Sequence, residues 1–413
     1  MLLGIVAIPL LLKELGIERL GVLTLIWALI GYFSIFDFGL GRALTQKISA
    51  LREASRPGDI DNTIRAGLVL MIAAGAIGAV FVVSIFAVGG ATWLGVSQEI
   101  YHETYWAVMI AGIGIPVTTI TSGLKGVIEG FEDFRLANFL RIILGTANFV
   151  VPVLVVRVIG PDLPSIVAGL VLARFLVMSL HVVAVYKRVA TPFRKPYKIH
   201  SSAFSGLFRF GAWMTLSNII SPLMVVADRF IISHFAGSAV VAYYTIPNDF
   251  LIRLLVLPAA FTTALFPAMA RSIVAKKGET NELYAKSLRT VLYVLLAVVL
   301  GVVATAYHGL YYWLGADFAD NSYVIAVVLA VGILFNGMAQ VPHSLLQAAG
   351  DVKRTSLIHS LEFILYMPLL VLAVMHFGIV GGAVMWTARA AGDFLLLAHY
   401  ARLRLALSPT ING

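Results

Sequence analysis

AVVAYYTIPNDFLIRLLVLPAAFTTALFPAMAR (Ala239–Arg271) contains only three charged residues, Asp249, Arg253 and Arg271. About 20 apolar residues suffice to cross the hydrocarbon core of a bilayer, so this stretch is long enough to span a membrane. Two of its charges then lie inside the span. A charge at the bilayer centre costs at least about 2.5–3.5 kcal/mol, so such residues normally face a partner or a watery cavity. Pro247, Pro258 and Pro267 each remove a backbone donor and clash with the carbonyl four residues back. One proline could be a packing kink; three in one span predict a broken helix that is mobile or lines a cavity.

Working outward, the same hydropathy marks spans near 19–51, 63–88, 104–128, 134–158, 162–187, 204–234, 285–308, 322–348, 354–377 and 378–404. Before them, Met1–Leu12 (MLLGIVAIPLLL) makes about half a span and lacks the basic flank of a signal peptide. It is read as the remnant of a first helix, shortened by a start placed too late or by truncation. The expected fold is an all-α polytopic membrane protein with twelve transmembrane helices, the first truncated. Composition agrees: 12% of the 413 residues are charged, against about 25% in a soluble domain. No cysteine is present, which excludes disulfides and thiolate chemistry. The net charge of +9 sits in short loops between spans, so it reports orientation rather than a nucleic-acid partner.

Alternate connections are unequal in charge. One set holds Lys47, Arg52, Arg56, Arg65, Lys125, Arg135, Arg141, Lys187, Arg188 and their successors; the other holds only Lys13, Arg19 and Arg157. The positive-inside rule therefore puts both termini in the cytoplasm of a cell whose inner membrane the chain spans many times. Residues 191–203, basic and proline-bearing, divide an N-terminal six-helix bundle (1–190) from a C-terminal one (204–413).

The halves resemble each other. LGIERLGVLTL (15–25) and FAGSAVVAYYTI (235–246) share a glycine turn and a threonine, Thr24 and Thr245. EGFEDFR (Glu129–Arg135) recurs as AGDVKRT (Ala349–Thr355), with Gly130 matched to Gly350. An even number of spans separates the copies, so the repeats run parallel, a design that places the substrate site between the halves.

Five spans carry buried charge. Asp37 and Arg42 lie in one, Asp228 and Arg229 in another, Asp249 and Arg253 in a third; Glu362 is alone in a fourth, and Arg389 and Asp393 share a fifth. Asp249 and Arg253 are four apart, as are Arg389 and Asp393, so each pair can share a helix face as an ion pair. Asp37 and Arg42, five apart, would point about 140° apart on one helix. Glu362 and Arg389 could meet between helices. Arg174, in the sixth span, either lines a cavity or snorkels to the interface. Arg42 and Arg253 suit an anionic headgroup, because the guanidinium fork grips phosphate bidentately and stays charged in low dielectric. Glu362 and Asp393 could carry a coupling proton or form a fixed pair with Arg389. The nine histidines show no metal spacing, and His343 and His359 read as packing or hydrogen-bonded residues. Gly123, Gly126 and Gly130, and Gly381 and Gly382, permit close helix contact. No P-loop or Gly-x-Ser-x-Gly motif is present.

FDFGLGRALTQKIS (Phe36–Ser49) resembles the second-helix signature of Wzx-type polysaccharide flippases, within the MATE-like exporter superfamily. Asp228–Arg271, with its Asp-Arg pair, glycine turn, Tyr243, Arg253 and Phe-Pro, resembles that family's seventh and eighth helices. The resemblance implies a V-shaped pair of six-helix bundles working by alternating access. It implies transport of undecaprenyl-diphosphate-linked oligosaccharide to the outer face, with membrane lipids and polysaccharide assembly proteins as partners. In that fold helices one, two, seven and eight line the cavity, which would place Asp37, Arg42, Asp228, Arg229, Asp249 and Arg253 around substrate. Glu362, Arg389 and Asp393 would form a separate coupling cluster for a proton or Na+, with no resident cofactor or metal. The rivals are a lipid II flippase, which usually has fourteen helices, and a cation-coupled multidrug exporter, which would offer acids to its cargo. A polysaccharide polymerase or ligase is disfavoured because the outside loops are short.

Overall fold

A computed structural model describes residues 2–31, 36–37, 39–54, 57–189, 226–275 and 277–407, and every regular element among them is helical. Helix α1 (Leu2–Gly31) bends at Gly16, where φ is 75°. After a break come α2 (Leu40–Glu53) and α3 (Pro57–Ile85), the latter prolonged by a π turn at Phe86–Gly90. Then follow α4 (Tyr101–Gly130), α5 (Phe134–Val158) and α6 (Leu163–Arg188). A helical segment at 226–236 precedes α7 (Ser238–Leu251), a 3-10 turn at Ile252–Leu255, and α8 (Val256–Ala275). The chain continues through α9 (Lys277–Leu314), α10 (Ala316–Ala348) and α11 (Val352–Leu407), which bends at Gly378.

Eight stretches among the described residues are helical, long and apolar enough to cross a membrane. The expected spans 104–128, 134–158, 285–308 and 322–348 each fall inside one helix, and the boundary expected after residue 377 is the bend at Gly378. One expectation needs correction. The span 19–51 is not one α-helix: a 3-10 turn at 36–37 and the left-handed Gly39, at φ 75°, come before Leu40. The break expected from the prolines of 239–271 is found at Ile252–Leu255, where the missing N–H of Pro258 leaves the carbonyl of Leu254 without its helical donor. The expected linker 191–203 lies outside the described residues, as does the seventh span up to residue 225.

Two compact units form, Met1–Ala239 and Val240–Gly413. In the first, α4 packs against α1, α2, α3, α5 and α6. In the second, α10 packs against α8, α9 and α11. About half of the apolar window of α4 or α10 is buried inside protein, against a third or less in the other spans. Small residues let α4 be approached from all sides. A Cβ on Gly126 would lie 2.3 Å from the carbonyl oxygen of Gly41, and Thr45 Oγ1 donates to the Gly126 carbonyl at 3.1 Å. A Cβ on Gly130 would lie 2.9 Å from Ile48, and one on Gly123 would overlap the Met71 sulfur. Around these contacts Leu44, Ile48, Ile64, Met71, Leu124, Val127 and Ile128 form a solvent-free core.

Residues with positive φ recur in pairs. Gly16 matches Gly237, Gly95 matches Gly315, Glu132 matches Gly350, and Gly160 matches Gly378, in corresponding turns of the two halves. The turn after α4 closes with Asp133 N–H donating to the Ile128 carbonyl at 3.2 Å; the turn after α10 closes with Asp351 N–H donating to the Leu346 carbonyl at 2.9 Å. This is the six-to-one bond of a Schellman ending. The repeat is therefore real in the backbone, but its register here differs from the sequence match: Glu132, not Gly130, stands where Gly350 does.

Candidate functional site

Asp37 occupies a single 3-10 turn just ahead of Gly39. The left-handed glycine swings its own N–H back onto the carboxylate, donating to Oδ1 at 2.7 Å. From α4, the Ser122 hydroxyl donates to Oδ2. Asp37 is thus buried with two donors on its two oxygens, while the charges of Arg42 and Lys125 also reach it. Arg42, on the first turn of α2, is exposed. The separation of 140° expected for these two residues assumed one continuous helix and does not apply.

Asp228 and Arg229 lie on the segment 226–236 and are both buried, with the Arg229 N–H donating to Asp228 Oδ1 at 2.8 Å. The end of this segment is tied to the rest of its unit. Ser233 donates to the Leu94 carbonyl, and Ser238 N–H donates to the Gly95 carbonyl at 3.1 Å. Ser238 Oγ donates to Glu18, which also accepts from the Ser97 N–H at 2.7 Å. Arg19 is paired with Glu103 at 2.9 Å.

In the second unit, Asp249 lies in the last turn of α7 and Arg253 stands exposed in the 3-10 turn. The guanidinium Nε donates to the backbone carbonyl of Asp249 at 3.0 Å. The broken helix thereby leaves a carbonyl to a side chain and turns an arginine outward.

The acids and arginine of α11 converge because the helix doubles back at Gly378. His359 Nε2 faces Asp393 Oδ1 at 3.5 Å across the fold. Donor atoms of His359, Glu362 and Asp393 all lie within 4.8 Å of one another. Arg389 lies over the ring of Tyr366, 5.4 Å from its centroid. His343, from α10, stacks on His359 at 5.7 Å, and Gln347 Nε2 reaches His343 Nε2 at 3.4 Å. Both carboxylate oxygens of Glu362 are buried without a hydrogen-bond partner among the described residues.

Arg389 and Asp393 do not close the ion pair expected from their spacing. The tyrosine face and His359, both from the preceding arm of α11, take those partners instead. Glu362 comes within 4.8 Å of Asp393 on the following arm, where the charge of Arg389 also reaches it. His359 reads from sequence as a packing or hydrogen-bonded residue, and the hairpin at Gly378 brings two acids beside it. With the imidazole neutral, two carboxylates and one guanidinium carry a net charge of −1, which one proton or one monovalent cation neutralises. The same trio of donors could hold a cation, but the nearby guanidinium opposes a divalent ion.

Residues 1–273 match the model of a family described as polysaccharide biosynthesis protein. The chain belongs to the polysaccharide biosynthesis protein family. A Shigella flexneri member assigned as an O-antigen transporter is 34% identical over 399 residues, covering 96% of this chain and 93% of the relative. Solved structures place the family fold. An inward-facing multidrug resistance MATE family transporter of the MOP superfamily superposes with a TM-score of 0.82 at 14% identity, covering 100% of this chain and 96% of that one. The lipid II flippase MurJ, in an inward closed conformation, gives 0.74 at 12% identity, covering 100% and 91%. This family member is therefore a multi-pass integral membrane protein with a MATE-like helical fold.

Proposed function

We propose that this protein is a transporter, not an enzyme, that moves a lipid-diphosphate-linked oligosaccharide from the cytoplasmic to the outer face of the inner membrane. The observation that carries this reading is the 34% identity, over nearly the full length of both chains, to a protein assigned as an O-antigen transporter. In this reading the chain has twelve spans in two halves of six, with both termini in the cytoplasm. Asp37, Arg42, Asp228, Arg229, Asp249 and Arg253 serve the cargo. Arg42 and Arg253, both exposed within apolar sequence, are the residues best suited to a diphosphate, since guanidinium binds it bidentately. Glu362, Arg389 and Asp393, with His359, take up the coupling ion, a proton or Na+.

Reconstitution into liposomes tests the proposal. Flipping of a lipid-diphosphate oligosaccharide, without efflux of cationic drugs, is the expected result. Drug efflux without flipping would instead make the protein a multidrug exporter of the same fold. Arg42→Ala and Arg253→Ala, each at normal protein level, are expected to slow flipping; wild-type rates in both would remove these arginines from the cargo path.

A further inference from the structure

A cavity of about 210 Å3 opens between α4, α5 and α6, inside the first unit. Its lining includes Ser122, Lys125, Arg141, Arg174 and His181. Three lysine or arginine side chains around so small a space is an unusual concentration in a helical unit built for a membrane.

Arg174 is the most telling of them. It belongs to the inward stripe of α6, with Leu170, Val177 and His181, and only 7% of its surface is exposed. Its placement decides the question left by the sequence: the side chain lines a cavity and does not snorkel to the interface. Nη1 donates to the Leu170 carbonyl at 3.1 Å and Nη2 to Asn148 Oδ1 at 2.9 Å. Both acceptors are neutral. Arg141 likewise donates to a neutral oxygen, Asn138 Oδ1, at 2.6 Å. Lys125 has Glu129 at 3.5 Å, but neither arginine has a carboxylate within ion-pair distance among the described residues. A buried guanidinium bound only by neutral groups keeps most of its desolvation cost, which an anion would offset.

The cations are also graded in depth. Arg141 is exposed and about 10 Å from the start of α5, whereas Arg174 is buried about 21 Å from the end of α6, taking 1.5 Å per residue. Both depths are measured from the ends that charge asymmetry assigns to the cytoplasm. His181 lies at about the depth of Arg141, and Lys125, about 7.5 Å from the end of α4, lies nearer that end.

The geometry points to a second anion site: this pocket binds a phosphate group, entering past Arg141 and seated against Arg174. Its lining meets the cargo residues through Ser122, which also holds Asp37, but the site requires only the pocket and its charge. A phosphate monoester or diphosphate fits the donor set, since two guanidinium groups can share its oxygens. The phosphate could belong to a lipid headgroup or be free in solution.

The full-length protein in maltoside micelles, which contain no phosphate, allows both sources to be tested. Inorganic pyrophosphate is titrated in one arm at constant ionic strength. Phosphatidic acid, against diacylglycerol as control, is titrated in the other, with thermal stabilisation as the readout. At least one ligand is expected to stabilise the protein saturably, and the arm that responds identifies the source. Arg174→Gln and Arg141→Gln are each expected to weaken that binding roughly tenfold or more, as removal of a charged hydrogen-bond partner does. Arg174→Lys is expected to retain part of it. Should Arg174→Gln not fold, Arg141→Gln, at the exposed mouth, carries the test. No stabilisation in either arm, or stabilisation unchanged in the arginine variants, would overturn the inference.

Discussion

Glu132 and Gly350 hold the same left-handed backbone position, at φ 65° and 77°, in the turn that follows the central helix of each unit. One half of the repeat fills it with the residue suited to it, and the other does not. A left-handed conformation costs an L-residue about 1–2 kcal/mol.

Glu132→Gly is therefore expected to stabilise the protein by about 1 kcal/mol, and Gly350→Ala to destabilise it by a similar amount. Glu132 lies 3.9 Å from Arg52 with its side chain largely exposed, and losing such a pair subtracts little. Thermal melting of both variants in the same detergent reads the two signs.

Gly126→Ala is expected to be far more damaging. Its new methyl would press on the Gly41 carbonyl, and prising two packed helices apart costs about 1–3 kcal/mol or more. Gly145→Ala is the control: nothing lies within 4 Å of a Cβ at that site in α5, so helix propensity favours alanine by about 1 kcal/mol. Folded yield after detergent extraction separates them.

Ser122→Ala removes one of the two donors to the Asp37 carboxylate. The expected loss is about 1.5–3 kcal/mol, the range for a hydrogen bond to a charged group. If Ser122→Ala melts like wild type while Asp37→Asn does not, the carboxylate has another anchor.

Glu362→Gln and Asp393→Asn each remove one negative charge from a cluster whose net charge suits one proton or monovalent cation. Both are expected to reduce the acceleration that an imposed ion gradient gives to transport. The coupling lost is about 1–3 kcal/mol, or roughly 5–150-fold. Transport rates in liposomes with and without proton and sodium gradients read the effect, and the gradient that ceases to matter identifies the ion. Equal acceleration in wild type and both variants would place coupling elsewhere.

The spans were legible because bilayer thickness imposes a long-wavelength pattern that hydropathy exposes directly. The glycine turn shared by 15–25 and 235–246 was legible too, and Gly16 and Gly237 hold positive φ there. The break before α2 was not, because Gly39 sits in sequence that is apolar on both sides and looks continuous. The register of the repeat was misjudged at Glu132, since sequence comparison looks for a glycine where the fold tolerates a strained glutamate. Sites are harder still. Charge spacing along one helix suggested the Arg389–Asp393 pair, yet His359 and Tyr366 reach these residues across a hairpin. The pocket at Arg174 needs three helices to exist, and its residues share no motif.

The central place of α4 and α10 has a consequence for how this protein can diverge. A helix facing lipid must only remain apolar, so Leu, Ile, Val and Phe interchange there with little effect on folding. A helix clasped on most sides by its neighbours must also keep its volume at each position, because a change in one seam disturbs several. Drift among relatives should therefore be slow along these two helices and rapid along the outward faces of α5 and α9. The oldest common features of the two halves are then best preserved where the chain is least able to experiment.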